Sequence, residues 1–427
     1  MQIPKHHRRA LANGIEITAI PMPWAHTAVV QAHIRVGSRY ETERLNGISH
    51  FLEHMMYRGT ETLPSAHAVV AAIEELGASL DAATAADHGA MTVSVPPENL
   101  HRVIPIFGEV FAGPILADLE VERGIVREEI LEDLDEDGNQ VAPDNLLREL
   151  CFGTHPLGFP VTGTLDHLER FDRATLLQHH AAHYTGMNTV LTVAGPIAVQ
   201  EVFDSLEQNF GGLQRGEVQK THPAQPIRGP RWRSVRHHSS QTLLQIAFDA
   251  PSVHDVAEPA IELLMRVLDD GMSTRLYHRI CDVLGLCYDV AASYEAFSDV
   301  GVIELAAETS HEQAPKVLTE LLGVARSLKE AGPTAREFEL AKARVRWQHQ
   351  EMFDDLEEVT EFYGLGQLTG VALTPERRVE QLMAVSLDEV RSAAERVFVP
   401  AGLCGVAVGM PTKRVRHALE ALVLGFE

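Results

Sequence analysis

Two hydrophobic rhythms follow one another along the first part of the chain. In "GIEITAIPM" (14–22) and "TAVVQAHIRVG" (27–37), β-branched and apolar residues alternate in part, with Gly and Pro at the ends, which predicts strands. The rhythm then lengthens. Ile48, Phe51, Leu52, Met55 and Met56 recur at i, i+3, i+4, i+7 and i+8, the core-facing stripe of a helix. Asn46 or Ser49 offers a cap for its start, and Gly59 suits its end. Helical spacing returns over 65–77 and 97–112, with a strand pair around 79–95 between them. An acidic helix is expected over roughly 119–137. Strands and long helices in this irregular order predict α+β layers rather than regular βαβ winding.

Near mid-chain the apolar period disappears. "GGLQRGEVQKTHPAQPIRGPRWRS" (211–234) is rich in Gly, Pro and charge and reads as a linker. The halves on either side carry a repeat at an offset of 214 residues. "LDHLERFDRATLLQHHAAHYTGMNTVLTVAG" (165–195) runs without gaps against "VEQLMAVSLDEVRSAAERVFVPAGLCGVAVG" (379–409). Leu168 meets Leu382, Tyr184 meets Phe398 and Gly195 meets Gly409, each in a helix–loop–strand pattern. The expected organisation is two homologous α/β-sandwich domains, over 1–213 and 237–427, joined by a linker at 214–236.

Composition narrows the function classes. A length of 427 residues exceeds one ordinary core. The net charge of −24 argues against nucleic acid as a main partner, because a phosphate backbone calls for a Lys/Arg surface. It suits general solubility, or a cavity that attracts basic or unfolded peptides. Four scattered cysteines, Cys151, Cys281, Cys287 and Cys404, give neither a disulfide framework nor a CxxC knuckle, as in a reducing compartment. No run approaches the ~20 apolar residues that span a bilayer, and no h-region follows the basic start. The expectation is therefore a cytoplasmic protein off the membrane. Lys5–Arg9 reads as a solvated arm.

The candidate chemistry lies on the second face of the 48–58 helix. His50, Glu53 and His54 also fall at i, i+3 and i+4, so two imidazoles one turn apart can share an ion with a carboxylate beside them. The pattern H-x-x-E-H is the inverted-zincin signature. In a chain with 22 histidines it is weak by itself, and a polar helix face with solvated histidines remains the alternative. A catalytic zinc needs a third protein ligand. The helix "LEVERGIVREEILEDLDEDG" (119–138) offers Glu122 and Glu129, two turns apart on one face, while Glu128 points about 100° away from Glu129.

Several stretches together resemble the pitrilysin/insulinase-type zinc peptidases, in particular the branch similar to the mitochondrial processing peptidase. They are "VGSRYETERLNGISHFLEHMMYRGT" (36–60), "LGASLDAATAADH" (76–88), "VERGIVREEI" (121–130), "HPLGFPVTGT" (155–164), "HYTGMNTVLTVAG" (183–195) and "GMSTRLYHRICDVLGLCYDV" (271–290), in the family's order. The resemblance implies a zinc-dependent endopeptidase acting on peptides or unfolded polypeptides, with one Zn2+ per chain. It makes His50, His54 and Glu129 the ligands and Glu53 the catalytic base, with Glu122 supporting the site. It also implies two α+β domains per chain, dimers closing as a clamshell around a chamber, and a peptide added to a sheet edge at Asp81, Ala82 and Thr84.

The departures bear on partners. Asp81 stands where the family's edge strand has Asn, and Phe159 where "HPLGRP" has Arg. Active members pair an Arg with a Tyr seven residues later to reach the substrate from the opposing half. Here Tyr288 is present and Cys281 holds the Arg position, with Arg279 two residues off. The expectation is a heterodimer in which a homologous subunit brings the Arg/Tyr pair, with a homodimer as the alternative. A second function class is a non-catalytic scaffold subunit resembling respiratory-complex core subunits. Members of that class tend to lose metal residues that this chain keeps.

Overall fold

The structure, a computed structural model, describes residues 4–427. Among the described residues, eleven strands form two sheets. The first contains β1 (His7–Ala10), β2 (Glu16–Pro21), β3 (Ala28–Ile34), β4 (Ser79–Thr84), β5 (Gly89–Val95) and β6 (Thr189–Gly195), in the order β1-β2-β6-β3-β5-β4. The second contains β7 (Arg231–Arg236), β8 (Gln241–Ala250), β9 (Val290–Ala296), β10 (Gly301–Ser310) and β11 (Cys404–Gly409), in the order β7-β11-β8-β10-β9. Apart from β1 the two orders are the same. In each sheet one pair is parallel, β2 with β6 and β7 with β11, and the rest are antiparallel. The helices that matter below are α1 (Ile48–Met56), α2 (Leu119–Glu132), α3 (Pro143–Phe152), α4 (Arg173–His183), α5 (Glu258–Leu268), α6 (Leu356–Thr369) and α7 (Leu387–Val397).

The internal repeat is exact in backbone detail at its key positions. Tyr184 ends α4 at φ −83°, ψ 65°, and Phe398 ends α7 at φ −79°, ψ 62°. Their N–H groups close on His180 and Ala394, themselves 214 residues apart. Gly195 and Gly409 then finish the following strands at φ 140° and 154°, where a Cβ would meet backbone within 3.1 Å or less. The glycines are there because the neighbouring chain approaches too closely for any side chain.

The chain forms two compact units, and these do not follow the sequence halves. The first comprises the chain up to Ile130 with Phe159–His222 and Gln350–Thr374. The second comprises Leu131–Gly158, Pro223–His349 and Pro375–Glu427. Each unit thus includes a segment from the other half. Helix α6 packs on β3 and β6 of the first sheet, burying Leu356, Val359 and Tyr363 against Ile20, Met22, Val29 and Ala194. Helix α3 packs on β8 and β11 of the second. Two amphipathic helices cover sheets distant in sequence because each sheet has an apolar face to bury.

Local differences from the sequence reading have simple causes. Strand β7 takes up the end of the expected linker, drawn in by parallel pairing with β11. The acidic helix stops at Glu132, before the turn closed by Asp135 and Asn139. Lys5–Arg9 is not simply a solvated arm, since His7–Ala10 pairs with β2 and Arg9 binds Asp204 at 2.9 Å. Among the described residues no helix is long and apolar enough to cross a membrane.

Candidate metal centre

Helix α1 is anchored through its apolar stripe: Ile48, Phe51, Leu52, Met55 and Met56 are all fully buried. Its N-terminus is capped from outside. Gly47 is the N-cap, in the left-handed region at φ 89°, and neither Asn46 nor Ser49 caps with its side chain. The buried Glu41 carboxylate does the work instead, accepting the N–H of Gly47 at 2.8 Å, the N–H of Ser49 at 2.9 Å and the amide of Asn46 at 3.2 Å. A carboxylate at a helix N-terminus meets both the orphan donors and the positive end of the dipole. Ser49 Oγ in turn lies 3.1 Å from Nε2 of buried His179 on α4. Burial keeps that imidazole neutral by pushing its pKa well down.

With one face of α1 fixed, the other is aimed. His50 Nε2 lies 3.2 Å from Oε1 of Glu129, and His54 Nε2 lies 3.5 Å from Oε2 of the same carboxylate. The ligand atoms of His50, His54 and Glu129 all fall within 4.8 Å of one another. On α2, Glu129 turns into the cluster, half-buried, and Glu128 is exposed. Glu122, one face but two turns earlier, does not join them. It is buried and accepts from His54 Nδ1 at 2.9 Å, while Arg58 pairs with its other oxygen. That bond puts the proton of a neutral His54 on Nδ1 and leaves Nε2 as a lone-pair donor. Arg58 was not singled out in the sequence, although its i+4 spacing from His54 was the available signal.

The imidazoles and carboxylates of the cluster hold one another's charges. Burial alone would push His54 down, but its hydrogen bonds to Glu122 and Glu129 outweigh that and raise it to about 9. The hydrogen bonds from His50 and His54 hold Glu129 well below the usual carboxylate range. Burial raises Glu122, and the contacts from His54 and Arg58 overcome it and leave the group lowered. The donor set, two imidazole nitrogens and one carboxylate, is the borderline-soft set that zinc takes with three protein ligands, not the all-oxygen set of calcium or magnesium. The residues present therefore fit zinc.

Glu53 completes this face of α1. Its Oε2 accepts from Thr84 Oγ1 at 2.6 Å. Thr84 is the last residue of β4, the free edge of the first sheet. The β4–β5 hairpin closes on an Ala85 N–H bond to His88 O of 2.8 Å. Antiparallel ladders alternate, so the register assigns the peptide groups of Asp81 and Ala83 to β5 and leaves those of Ala82 and Thr84 on the open edge. The side chains of Ala82 and Thr84 are half-buried, whereas Asp81 is exposed on the opposite face.

The remaining candidates lie in the second unit. Tyr288 is 96% exposed. Cys281 is partly buried against that unit's core, its sulfur 3.7 Å from Cys287. Arg279 pairs with Glu320 at 2.7 Å.

Comparison with known proteins adds an independent line. A model of the family described as "Insulinase (Peptidase family M16)" matches residues 18–165, and one described as "Peptidase M16 inactive domain" matches residues 170–345. An uncharacterized zinc protease of Rickettsia bellii is 28% identical over 396 residues, which is 91% of this chain and 94% of that protein. A protease structure from Helicobacter pylori superimposes with a TM-score of 0.87 at 18% identity, covering 96% of this chain and 100% of the other. A chain of complex III2 from Candida albicans does so with a TM-score of 0.79 at 17% identity, covering 97% and 99%. At such identities the two structures speak to the fold.

Proposed function

This chain belongs to the pitrilysin/insulinase-type (M16) peptidases, and we propose that it cleaves peptides or unfolded polypeptides with one zinc ion held by His50, His54 and Glu129. The observation that carries this is the convergence of those three ligand groups within 4.8 Å, with Glu53 on the same helix face. Zinc bound there supplies Lewis acidity, polarising a carbonyl and bringing the pKa of water towards ~7. Glu53 takes the proton of the attacking water and returns it to the leaving amine. Glu122 keeps His54 in the tautomer whose Nε2 faces Glu129. The open edge of β4 offers the peptide groups of Ala82 and Thr84 to an extended peptide, which binds main chain with little demand on sequence. Asp81 presents no amide donor where the family has one, and its peptide groups are taken by β5, so its contact is through the carboxylate, with cationic groups of a substrate.

Glu53→Gln tests the mechanism. The variant should bind zinc in the wild-type ratio while hydrolysis of a quenched fluorescent peptide falls by roughly 10²–10⁴-fold. Cleavage at the wild-type rate would falsify the assignment.

The partner reading rests on Cys281 at the family's Arg position. We propose that this chain supplies the zinc half of a heterodimer, within an enclosed cytoplasmic chamber, and that a homologous subunit supplies the Arg/Tyr pair. Purified alone, the chain should be weakly active and gain turnover when that subunit is added. Full activity as a homodimer would count against it. The likeness to a complex III chain favours a scaffold subunit as the second reading. A scaffold would purify without stoichiometric zinc, and elemental analysis separates the two.

A further inference from the structure

We infer that Thr84 is a positioning residue for Glu53, and that it ties the pose of the base to the strand edge on which a peptide lies. This rests on the peptidase reading above. The resemblance gave Thr84 only a contact with substrate, whereas the structure gives its hydroxyl a different partner.

Three observations converge. Thr84 Oγ1 and Glu53 Oε2 are 2.6 Å apart, a short charge-assisted bond that joins α1 to β4 across 31 residues of sequence. A threonine hydroxyl has one proton to give, and here it goes to Oε2. Glu53 then has one oxygen tied and Oε1 left for proton transfer. A glutamate side chain has three torsions, and without this tie its carboxylate would sample several rotamers beside the ligand cluster. Holding it in one pose is the kind of placement in which an ångström can change a rate by roughly 10².

The third observation is where Thr84 stands. It is the terminal residue of an edge strand, its side chain on the α1 side and its peptide group on the open side. A peptide pairing with β4 would bond that same residue's backbone. Main-chain pairing on one side and the Glu53 bond on the other meet at a single Cα, so ordering of the edge by substrate also orders the base. β-branching keeps Thr84 Oγ1 in few χ1 positions, which suits that task.

Thr84→Val preserves the branch and strand propensity and removes the hydroxyl; Thr84→Ser restores it. In the zinc-loaded full chain, with its homologous subunit where turnover requires it, T84V should lose roughly 10- to 100-fold in kcat, with KM and zinc content as in wild type. T84S should recover most of the loss. A second readout does not depend on turnover. The Glu53 carboxylate stretch, isolated as the infrared difference between wild type and E53Q, should shift in T84V and return in T84S. Wild-type kcat in T84V, a change confined to KM, or an unshifted carboxylate band would each overturn the inference. Failure of the peptidase reading has a different signature, an E53Q variant as active as wild type, and the infrared comparison still judges the Thr84–Glu53 bond in that case.

Discussion

Helices α1 and α5 occupy matching places in the two units and share one buried stripe. In α1 it is Ile48, Phe51, Leu52, Met55 and Met56; in α5 it is Ala260, Leu263, Leu264, Val267 and Leu268, at the same i, i+3, i+4, i+7, i+8 spacing. Counting from the start of each stripe, the positions of His50, Glu53 and His54 in α1 are held by Glu262, Met265 and Arg266 in α5. The polar groups of α5 are spent on neighbours. Glu262 binds Arg378 at 2.5 Å and Arg266 binds Asp270 at 3.3 Å. In α1 two imidazoles converge on a single carboxylate and a second carboxylate stands beside them. The fold asks only for the stripe. The opposite face is free to carry chemistry in one unit and ion pairs in the other.

The comparison breaks most sharply at the metal. Glu129→Ala and His54→Ala should each reduce zinc affinity by more than the 10–100-fold that loss of an outer-shell partner typically costs. Glu122→Gln, which alters the acceptor for His54 Nδ1 and the partner of Arg58 but no ligand, should fall within that roughly 10–100-fold range. Arg266→Ala on α5 should leave the zinc content as it was. Zinc per chain after dialysis against a weak chelator reads all four. Retention of zinc in the Glu129 variant would end the distinction between the two faces.

The next effect belongs to the second unit. Arg378 makes two hydrogen bonds to Glu258, at 2.7 and 2.6 Å, and one to Glu262, and all three side chains are largely buried. Burial works against its charge, but the two carboxylates hold the guanidinium firmly cationic. Arg378→Met would strand two carboxylates together, at a cost of about 3–5 kcal/mol. The loss should appear in hydrogen-exchange protection of α5 and its sheet. Zinc binding in the first unit should be unchanged. A variant that lost zinc and kept α5 protection would reverse the roles assigned to the two helices.

Both faces of α1 were legible in the sequence because each is a local period; rotation per residue said only that one of Glu128 and Glu129 can face the ion, and the resemblance chose Glu129. The repeat at Tyr184 and Phe398 was legible for the same reason, since helix end, loop and strand recur in order. What escaped the sequence came from separation. The cap of α1 is Glu41 rather than Ser49 or Asn46, because Gly47 in a left-handed turn brings the preceding loop over the helix start. The Thr84–Glu53 bond depends on how β4 passes α1, which no spacing rule encodes. An amphipathic helix such as α3 or α6 declares which face is buried, not which sheet it covers, so the exchange of segments was invisible. Strand β7 has no apolar alternation in "RWRSVR", and its pairing with β11 supplies the order its own pattern lacks.

The smallest effect concerns how each helix is started. Glu41 and Asp255 are 214 residues apart and both precede their helices, but only Glu41 bonds into the first turn, whereas Asp255 holds the residue before it. Glu41 is buried and accepts from Gly47, Ser49 and Asn46; Asp255 accepts from Ala257 N–H at 2.9 Å and pairs with Arg396 at 2.6 Å near the surface. At pH 7 Glu41→Gln should cost about 2 kcal/mol, since one oxygen becomes a donor facing backbone N–H groups, and Asp255→Asn about 0.5 kcal/mol, through its partly exposed pair with Arg396. Their pH dependences have opposite sign. Burial raises the pKa of Glu41 in the folded state, despite the hydrogen bonds from Ser49, Gly47 and Asn46, so its contribution is full below the unfolded value near 4.5 and declines as pH rises through the folded one. The hydrogen bond from Arg396 leads in lowering Asp255, so its contribution is full above 3.8 and lost as pH falls through its folded value. Hydrogen exchange at the first turns of α1 and α5, measured across this range in wild type and both variants, should therefore show slopes of opposite sign that vanish one at a time. Parallel slopes would mean that the two helices start alike, and that burial of Glu41 carries none of the difference between them.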